Sequence, residues 1–145
     1  MDSEIILIED SESDAEIVLR ALKKANITNT VKQLMDGEEA LDYFFGNQEG
    51  LGQNILLYPK LIFIDLKMPK VNGLEVIKKL KTNEETRLIP VVVLTSSKEH
   101  KDIIEAYKLG VNSYVVKSAD YERFSKLVVD TASYWLLINH PPEYE

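Results

Sequence analysis

Four apolar runs in this chain end abruptly in a group that can carry or bind charge. Ile5-Ile6-Leu7-Ile8 runs into Glu9-Asp10, Leu61-Ile62-Phe63-Ile64 into Asp65, Val91-Val92-Val93-Leu94 into Thr95-Ser96, and Tyr114-Val115-Val116 into Lys117. If Glu9, Asp10 and Asp65 share one edge, their carboxylates repel one another, and the arrangement makes sense chiefly around a hard cation. Magnesium suits it best: it takes near-octahedral oxygens, keeps several waters and leaves room for phosphate oxygens. The chemistry this implies is phosphoryl transfer, in which a protein offers a nucleophile and neutralises charge on three equatorial oxygens. Asp65 is the candidate nucleophile. Asp10, Asp65 and the backbone carbonyl of Lys67 are the candidate metal ligands, with Glu9 acting through a bound water. Lys117, the Thr95 hydroxyl and nearby backbone N–H groups would take the remaining phosphoryl oxygens.

Each residue taken alone has a plainer reading. Glu9 and Asp10 could cap the first helix. Asp65 could end a strand in a turn, although an acid directly after four apolar residues is seldom there for solvation alone. Thr95 and Tyr114 suit strands by propensity, and a lone lysine is most often a surface residue. The weight lies in the coincidence of complementary groups at separate strand ends.

The runs themselves say what positions these groups. Apolar stretches of this length without alternation read as strands buried on both faces, which marks a parallel sheet. Between them, Ala15, Val18, Leu19 and Leu22 fall at helical spacing with Ser13 as an expected N-cap, and Val76, Ile77 and Leu80 repeat the pattern after Asn72. Further helices are expected from Gly37 to Phe45, from about Glu99 to Leu109 with Gly110 closing it, and from Asp120 to near Leu137. Val31 to Leu34 is the weakest strand, interrupted by Gln33, and belongs at a sheet edge. The expected fold is α/β: a doubly wound, five-stranded parallel sheet of flavodoxin-like (βα)5 type, strand order 2-1-3-4-5, with right-handed crossovers. Ligands of such sheets bind beyond the carboxyl ends of the strands, at the switch point between the first and third. Glu9, Asp10 and Asp65 would meet there.

The 145 residues fit one domain spanning 1–145, with a helical extension and tail from about residue 134. The segment from Gly46 to Pro59 is long for a helix-to-strand connection and carries Ile55-Leu56-Leu57-Tyr58, apolar enough to fold onto the sheet edge or to meet a partner. Gly50-Leu51-Gly52 is no dinucleotide loop, since no strand precedes it and no helix follows at once. A net charge of −7 argues against direct nucleic-acid binding. The absence of cysteine, and only His100 and His140 as histidines, argues against zinc fingers and cysteine nucleophiles. No apolar stretch is long enough to span a membrane, and the start of the chain has no signal-peptide pattern, so a cytoplasmic location is expected.

Taken together, these motifs resemble the receiver domains of two-component response regulators, over nearly the whole chain from Ile5 to about Leu137. The acidic pair Glu9-Asp10, the acceptor run Asp65-Leu66-Lys67-Met68-Pro69 with Gly73 following, Thr95 and Lys117 carry the resemblance. It implies that a histidine kinase donates a phosphoryl group to Asp65 with Mg2+ bound. It also implies that Thr95 and Tyr114 form a switch read out on helix four, strand five and helix five. Such a protein is no enzyme on other substrates, and catalyses only the phosphorylation and dephosphorylation of its own aspartate. Most receivers have a cis proline after the lysine; Ser118 stands there here, leaving the geometry of that bond open. The long loop and the end Tyr134-Trp135-Leu136-Leu137 resemble the small receivers that partner bacterial phytochromes. In the last helix Phe124, Leu127, Val128, Thr131 and Trp135 form the expected core stripe, while Val129, Tyr134, Leu136 and Ile138 fall on other faces and suggest a homodimer. The alternative is that Tyr134 and Trp135 wrap beneath the long loop.

Two other functions use the same residues. A magnesium phosphohydrolase would attack small phosphate esters with Asp65, but commonly carries a second acid two positions on, where this chain has Lys67. A binding module that keeps the fold without being phosphorylated would have no need of the full acidic and lysine set.

Overall fold

The computed structural model describes residues 4–46 and 59–142. Five strands, β1 (Ile5–Ile8), β2 (Val31–Leu34), β3 (Leu61–Ile64), β4 (Val91–Thr95) and β5 (Ser113–Val116), form one sheet in the order β2-β1-β3-β4-β5. All pairings are parallel. Five helices alternate with them: α1 (Glu12–Lys24), α2 (Gly37–Phe45), α3 (Gly73–Thr82), α4 (His100–Leu109) and α5 (Tyr121–Ser133). The expected fold and order are found, with β2 at the edge. The apolar group at Ile55–Tyr58 lies outside the described residues. No helix among the described residues is long and apolar enough to cross a membrane.

The two-residue period of a strand divides the interior. Ile6, Ile8, Ile62, Ile64, Val91 and Val93 pack on one face with α2, α3 and α4 residues such as Phe44, Val76, Ile77 and Ala106. Ile5, Leu7, Leu61, Phe63, Val92 and Leu94 pack on the other with Ala15, Val18 and Leu22 of α1 and Phe124 and Val128 of α5. Every residue of β3 is fully buried, which places the end of that strand deep in the molecule.

Several local expectations shift. Ser11, not Ser13, caps α1, its hydroxyl accepting from the Asp14 N–H at 3.2 Å; the extended backbone needed by a cap falls at Ser11, and Ser13 is already helical. Leu19 is exposed and Ala21 buried, because the buried stripe on α1 is rotated toward Ala21 from the one the spacing suggests. Asn72 caps α3 and Gly110 closes α4 at φ 102°, as their residue types require. The last helix stops being α-helical at Ser133, and Tyr134–Ile138 widen into a π-helical turn closed by the Asn139 N–H on the Tyr134 carbonyl at 2.7 Å. Trp135, Val129 and Leu136 pack partly on the α1–α5 side of the core, whereas Tyr134, Leu137 and Ile138 are exposed.

A half-buried amine ties down the opposite end of the sheet. Lys81 donates to the carbonyls of Arg87 and Ile89 and to Asn112 Oδ1, at 3.0, 2.8 and 3.1 Å, and burial pushes its pKa down to about 8. Asn112 Oδ1 also accepts from the Val91 N–H, so α3, β4 and the turn before β5 are fixed together.

Candidate acidic site at the strand ends

The parallel ladders continue one residue past the strands and bring the polar ends level. The Glu9 N–H donates to Leu34 O, the Asp65 N–H to Ile8 O and the Lys117 N–H to Thr95 O, at 3.0, 3.0 and 2.8 Å. Glu9, Asp65 and Lys117 continue the alternation of Leu7, Phe63 and Val115, so they fall on the α1–α5 side of the sheet. Thr95 continues the alternation of Val93, and Tyr114 itself packs on the α4 side. The edge therefore has two halves.

On the α1 half, Glu9, Asp10 and Asp65 each present a carboxylate oxygen within 4.8 Å of the others. The Lys117 ammonium stands against them with its side chain only 8% exposed, at 2.7 Å from Glu9 Oε1 and 3.1 Å from Asp65 Oδ2. A third acid also grips it: Asp14, from the first turn of α1, has Oδ2 at 2.7 Å from Lys117 Nζ. Burial on its own would lower the Lys117 pKa, but hydrogen bonds to Asp14 and Glu9 and the charges of Glu9 and Asp65 outweigh it and raise the value. Burial lifts Glu9 up to about 7, with the charge of Asp65 acting in the same direction and the Lys117 hydrogen bond against it. Four carboxylates against one ammonium leave the pocket short of positive charge. That deficit, with three of the acids close enough to share one ion, fits a divalent cation.

On the α4 half, Thr95 is fully buried and its Oγ1 accepts weakly from the Ser97 N–H at 3.5 Å. The Tyr114 hydroxyl donates to the Ser97 carbonyl at 3.0 Å. Ser97 Oγ in turn donates to Asp102 Oδ2 at 2.6 Å, and Lys67 Nζ pairs with the same oxygen at 3.0 Å. Hydrogen bonds from Ser97 and Lys67 hold the buried Asp102 below the usual carboxylate range. The side chain of Lys67 is thus turned toward α4, while its backbone N–H donates to Asp65 Oδ1 at 3.3 Å.

Gly73 explains how α3 comes so near the acceptor. A Cβ there would lie 2.2 Å from the Asp65 carbonyl oxygen and 2.8 Å from Leu66 Cα, both unyielding backbone atoms. The Lys117–Ser118 bond is not cis, since no cis peptide occurs among the described residues.

Glu9, Asp10, Asp65 and Lys117 are brought together as their positions suggested, and Thr95 and Tyr114 lie at the same edge on its far half. Asp14, Ser97 and Asp102 were not singled out in the sequence. Asp14 alone left a signal there, as an acid one turn into the helix that follows the first acidic strand end.

Comparison with known proteins agrees with this geometry. Residues 5–129 match the model of the response regulator receiver domain. The chain is 39% identical over 132 residues to the response regulator Rcp1 of Synechocystis, covering 91% of this chain and 88% of Rcp1. It is 38% identical over 138 residues to the probable methanogenesis regulatory protein FilR2 of Methanothrix harundinacea, covering 95% and 86%. The phosphorylated cyanobacterial phytochrome response regulator RcpA superposes with a TM-score of 0.88 at 34% identity, covering 99% of this chain and all of RcpA. A crystal structure of Rcp1 has been solved in a Mn2+-bound form, with a TM-score of 0.84 at 37% identity over 96% of this chain and 99% of that one. A sheet of order 2-1-3-4-5 that gathers acids and a lysine at its switch point, together with a receiver match over most of the chain, leads to one conclusion: this protein belongs to the response regulator receiver family and is a phosphoacceptor of two-component signalling.

Proposed function

We propose that Asp65 is the phosphoacceptor and that it takes the group from a sensor histidine kinase. An Asp65 carboxylate oxygen attacks phosphorus as the bond to the kinase imidazole nitrogen breaks; the bonding pair stays on the ring, whose other nitrogen carries a proton, so a neutral imidazole leaves and an aspartyl phosphate remains. Hydrolysis reverses the charge flow: water attacks phosphorus, the Asp65 carboxylate leaves, and inorganic phosphate is released. These are the only reactions the chain is asked to assist. The observation that carries the assignment is the position of Asp65, within 3.1 Å of the Lys117 ammonium and inside the acidic trio.

Magnesium held by Asp10, Asp65 and the backbone carbonyl of Lys67, with Glu9 reached through a water, would supply a Lewis acid to one phosphoryl oxygen. Lys117 pairs with a second oxygen, and the Thr95 hydroxyl with the backbone N–H of Lys67 serves the third. A move of Thr95 toward that oxygen would open space on the α4 side. Tyr114, now tethered outward to the Ser97 carbonyl, is placed to fill it, and the change is read on the α4–β5–α5 face.

The similarity to RcpA supports a phytochrome-type kinase as the donor. The signal then leaves by protein contact, through that face or through the exposed Tyr134, Leu137 and Ile138. A second copy of this chain is a natural occupant of either surface. The net charge of −7 fits a protein target better than nucleic acid, and a cytoplasmic setting fits a kinase donor.

Intact-mass measurement after acetyl phosphate treatment tests the assignment. One phosphoryl group is expected per chain, dependent on Mg2+ and lost in Asp65→Asn. A normally labelled Asp65→Asn protein, or steady turnover of phosphate esters well beyond one equivalent, would overturn it.

A further inference from the structure

We infer that Asp14 is a positioning residue for this phosphoryl transfer, holding the Lys117 ammonium at the α1 side of the pocket so that Asp65 stays open to phosphorus. The inference rests on the reading that Asp65 is phosphorylated and Lys117 pairs with the phosphoryl group. An ammonium has three protons, and the acceptors of this one are Glu9 Oε1 at 2.7 Å, Asp14 Oδ2 at 2.7 Å and Asp65 Oδ2 at 3.1 Å. Two of those acids belong to the trio that can share a cation; Asp14 does not. Once the cation and the phosphoryl group engage Glu9 and Asp65, Asp14 is the one of the three still committed to the lysine.

Asp14 is itself held from both sides. Its N–H donates to Ser11 Oγ at 3.2 Å, and the Ser11 N–H donates to Glu9 Oε2 at 3.2 Å. Glu9, Ser11, Asp14 and Lys117 thereby close a ring that fixes the first turn of α1 to the end of β5. The lysine stem is long and flexible, and its head is a compact point charge. Without Asp14 it would settle between Glu9 and Asp65, covering the oxygens that the incoming group must reach. A plainer role exists for an acid in a first helical turn, which is to favour the helix dipole. That role would affect stability and leave the reaction alone.

Labelling by acetyl phosphate in the full chain separates the two, with Asp14→Ala, the isosteric Asp14→Asn and the charge-preserving Asp14→Glu each set beside the Mg2+ dissociation constant and the thermal midpoint. Asp14→Ala should slow labelling by about fivefold to thirtyfold, Asp14→Asn by less, and Asp14→Glu should recover a large part of the rate. The Mg2+ constant should move by less than the labelling rate does, since no proposed cation ligand is removed. Labelling of Asp14→Ala and Asp14→Asn at the parent rate would overturn the inference while leaving Asp65 as acceptor untouched. So would a rate loss matched by an equal loss of Mg2+ affinity or tracking the thermal midpoint. A parent protein that is not labelled on Asp65 would remove both this inference and the reading beneath it.

Discussion

At the scale of single residues the pocket depends on which cation meets which oxygen. Lys117 satisfies three carboxylates from one point, and its side chain is almost fully buried. An arginine in its place keeps the charge but spreads it over a planar fork, which cannot replace the compact ammonium that meets Glu9, Asp14 and Asp65 from one point. Lys117→Arg should therefore fold and still bind Mg2+, yet accept the phosphoryl group at least about tenfold more slowly, as measured by intact mass over time. A variant labelled at the parent rate would show that Lys117 supplies only bulk positive charge. This residue was visible in the sequence only in company, because a lysine alone reads as surface while four polar strand ends together do not. Asp14 left a weaker signal, because an acid in a first helical turn is already explained by the helix dipole. Asp102 was hidden for a related reason: charged residues on a helix read as surface, and only the folded chain shows that it is buried and bound by Ser97 and Lys67.

At the scale of elements, the apolar runs carried nearly all the information. Uninterrupted apolar strands such as Leu61–Ile64 point to a sheet covered on both faces, and a doubly wound sheet of that kind has its ligand edge at the carboxyl ends of its strands. What periodicity could not supply was the detail of helix ends. The cap at Ser11 depends on backbone angles, and the π-helical turn at Tyr134–Ile138 depends on how Trp135 and Leu136 meet the core. Gly73 is the case where element packing and chemistry coincide. It begins α3 against the Asp65 carbonyl, and a methyl group there would strike backbone on both the acceptor residue and its neighbour. Gly73→Ala should cost about 2–3 kcal/mol in urea unfolding, because the clash can be relieved only by moving α3 away from the end of β3. The same displacement should slow labelling of Asp65. A loss below about 0.5 kcal/mol would mean that the helix start yields more easily than its packing suggests.

At the scale of the whole molecule, the fold maintains an edge that works against its own stability. Glu9, Asp14 and Asp65 crowd one ammonium and Asp10 stands beside two of them, in a chain already at −7; burial lifts Glu9 up to about 7, and the charge of Asp65 adds to that lift. The remaining structure, with its two apolar layers and the Lys81 clamp at the far end of the sheet, has to outweigh it. A cation bound only by the folded chain should reverse the deficit. At Mg2+ a hundredfold above its dissociation constant, the folded state gains about 2.7 kcal/mol. Asp10→Asn separates repulsion from binding, since it deletes one charge of the trio while keeping the side-chain shape. In chelator it should melt a few degrees above the parent, about 2–4 °C for roughly 1 kcal/mol in a chain of this size, and added Mg2+ should barely raise it further. The parent should show the opposite pair of results, a lower midpoint in chelator and a clear rise with Mg2+. An Asp10→Asn protein that melts below the parent in chelator would mean that Asp10 has a structural duty at the end of β1, and that the acids are not held together against their own repulsion.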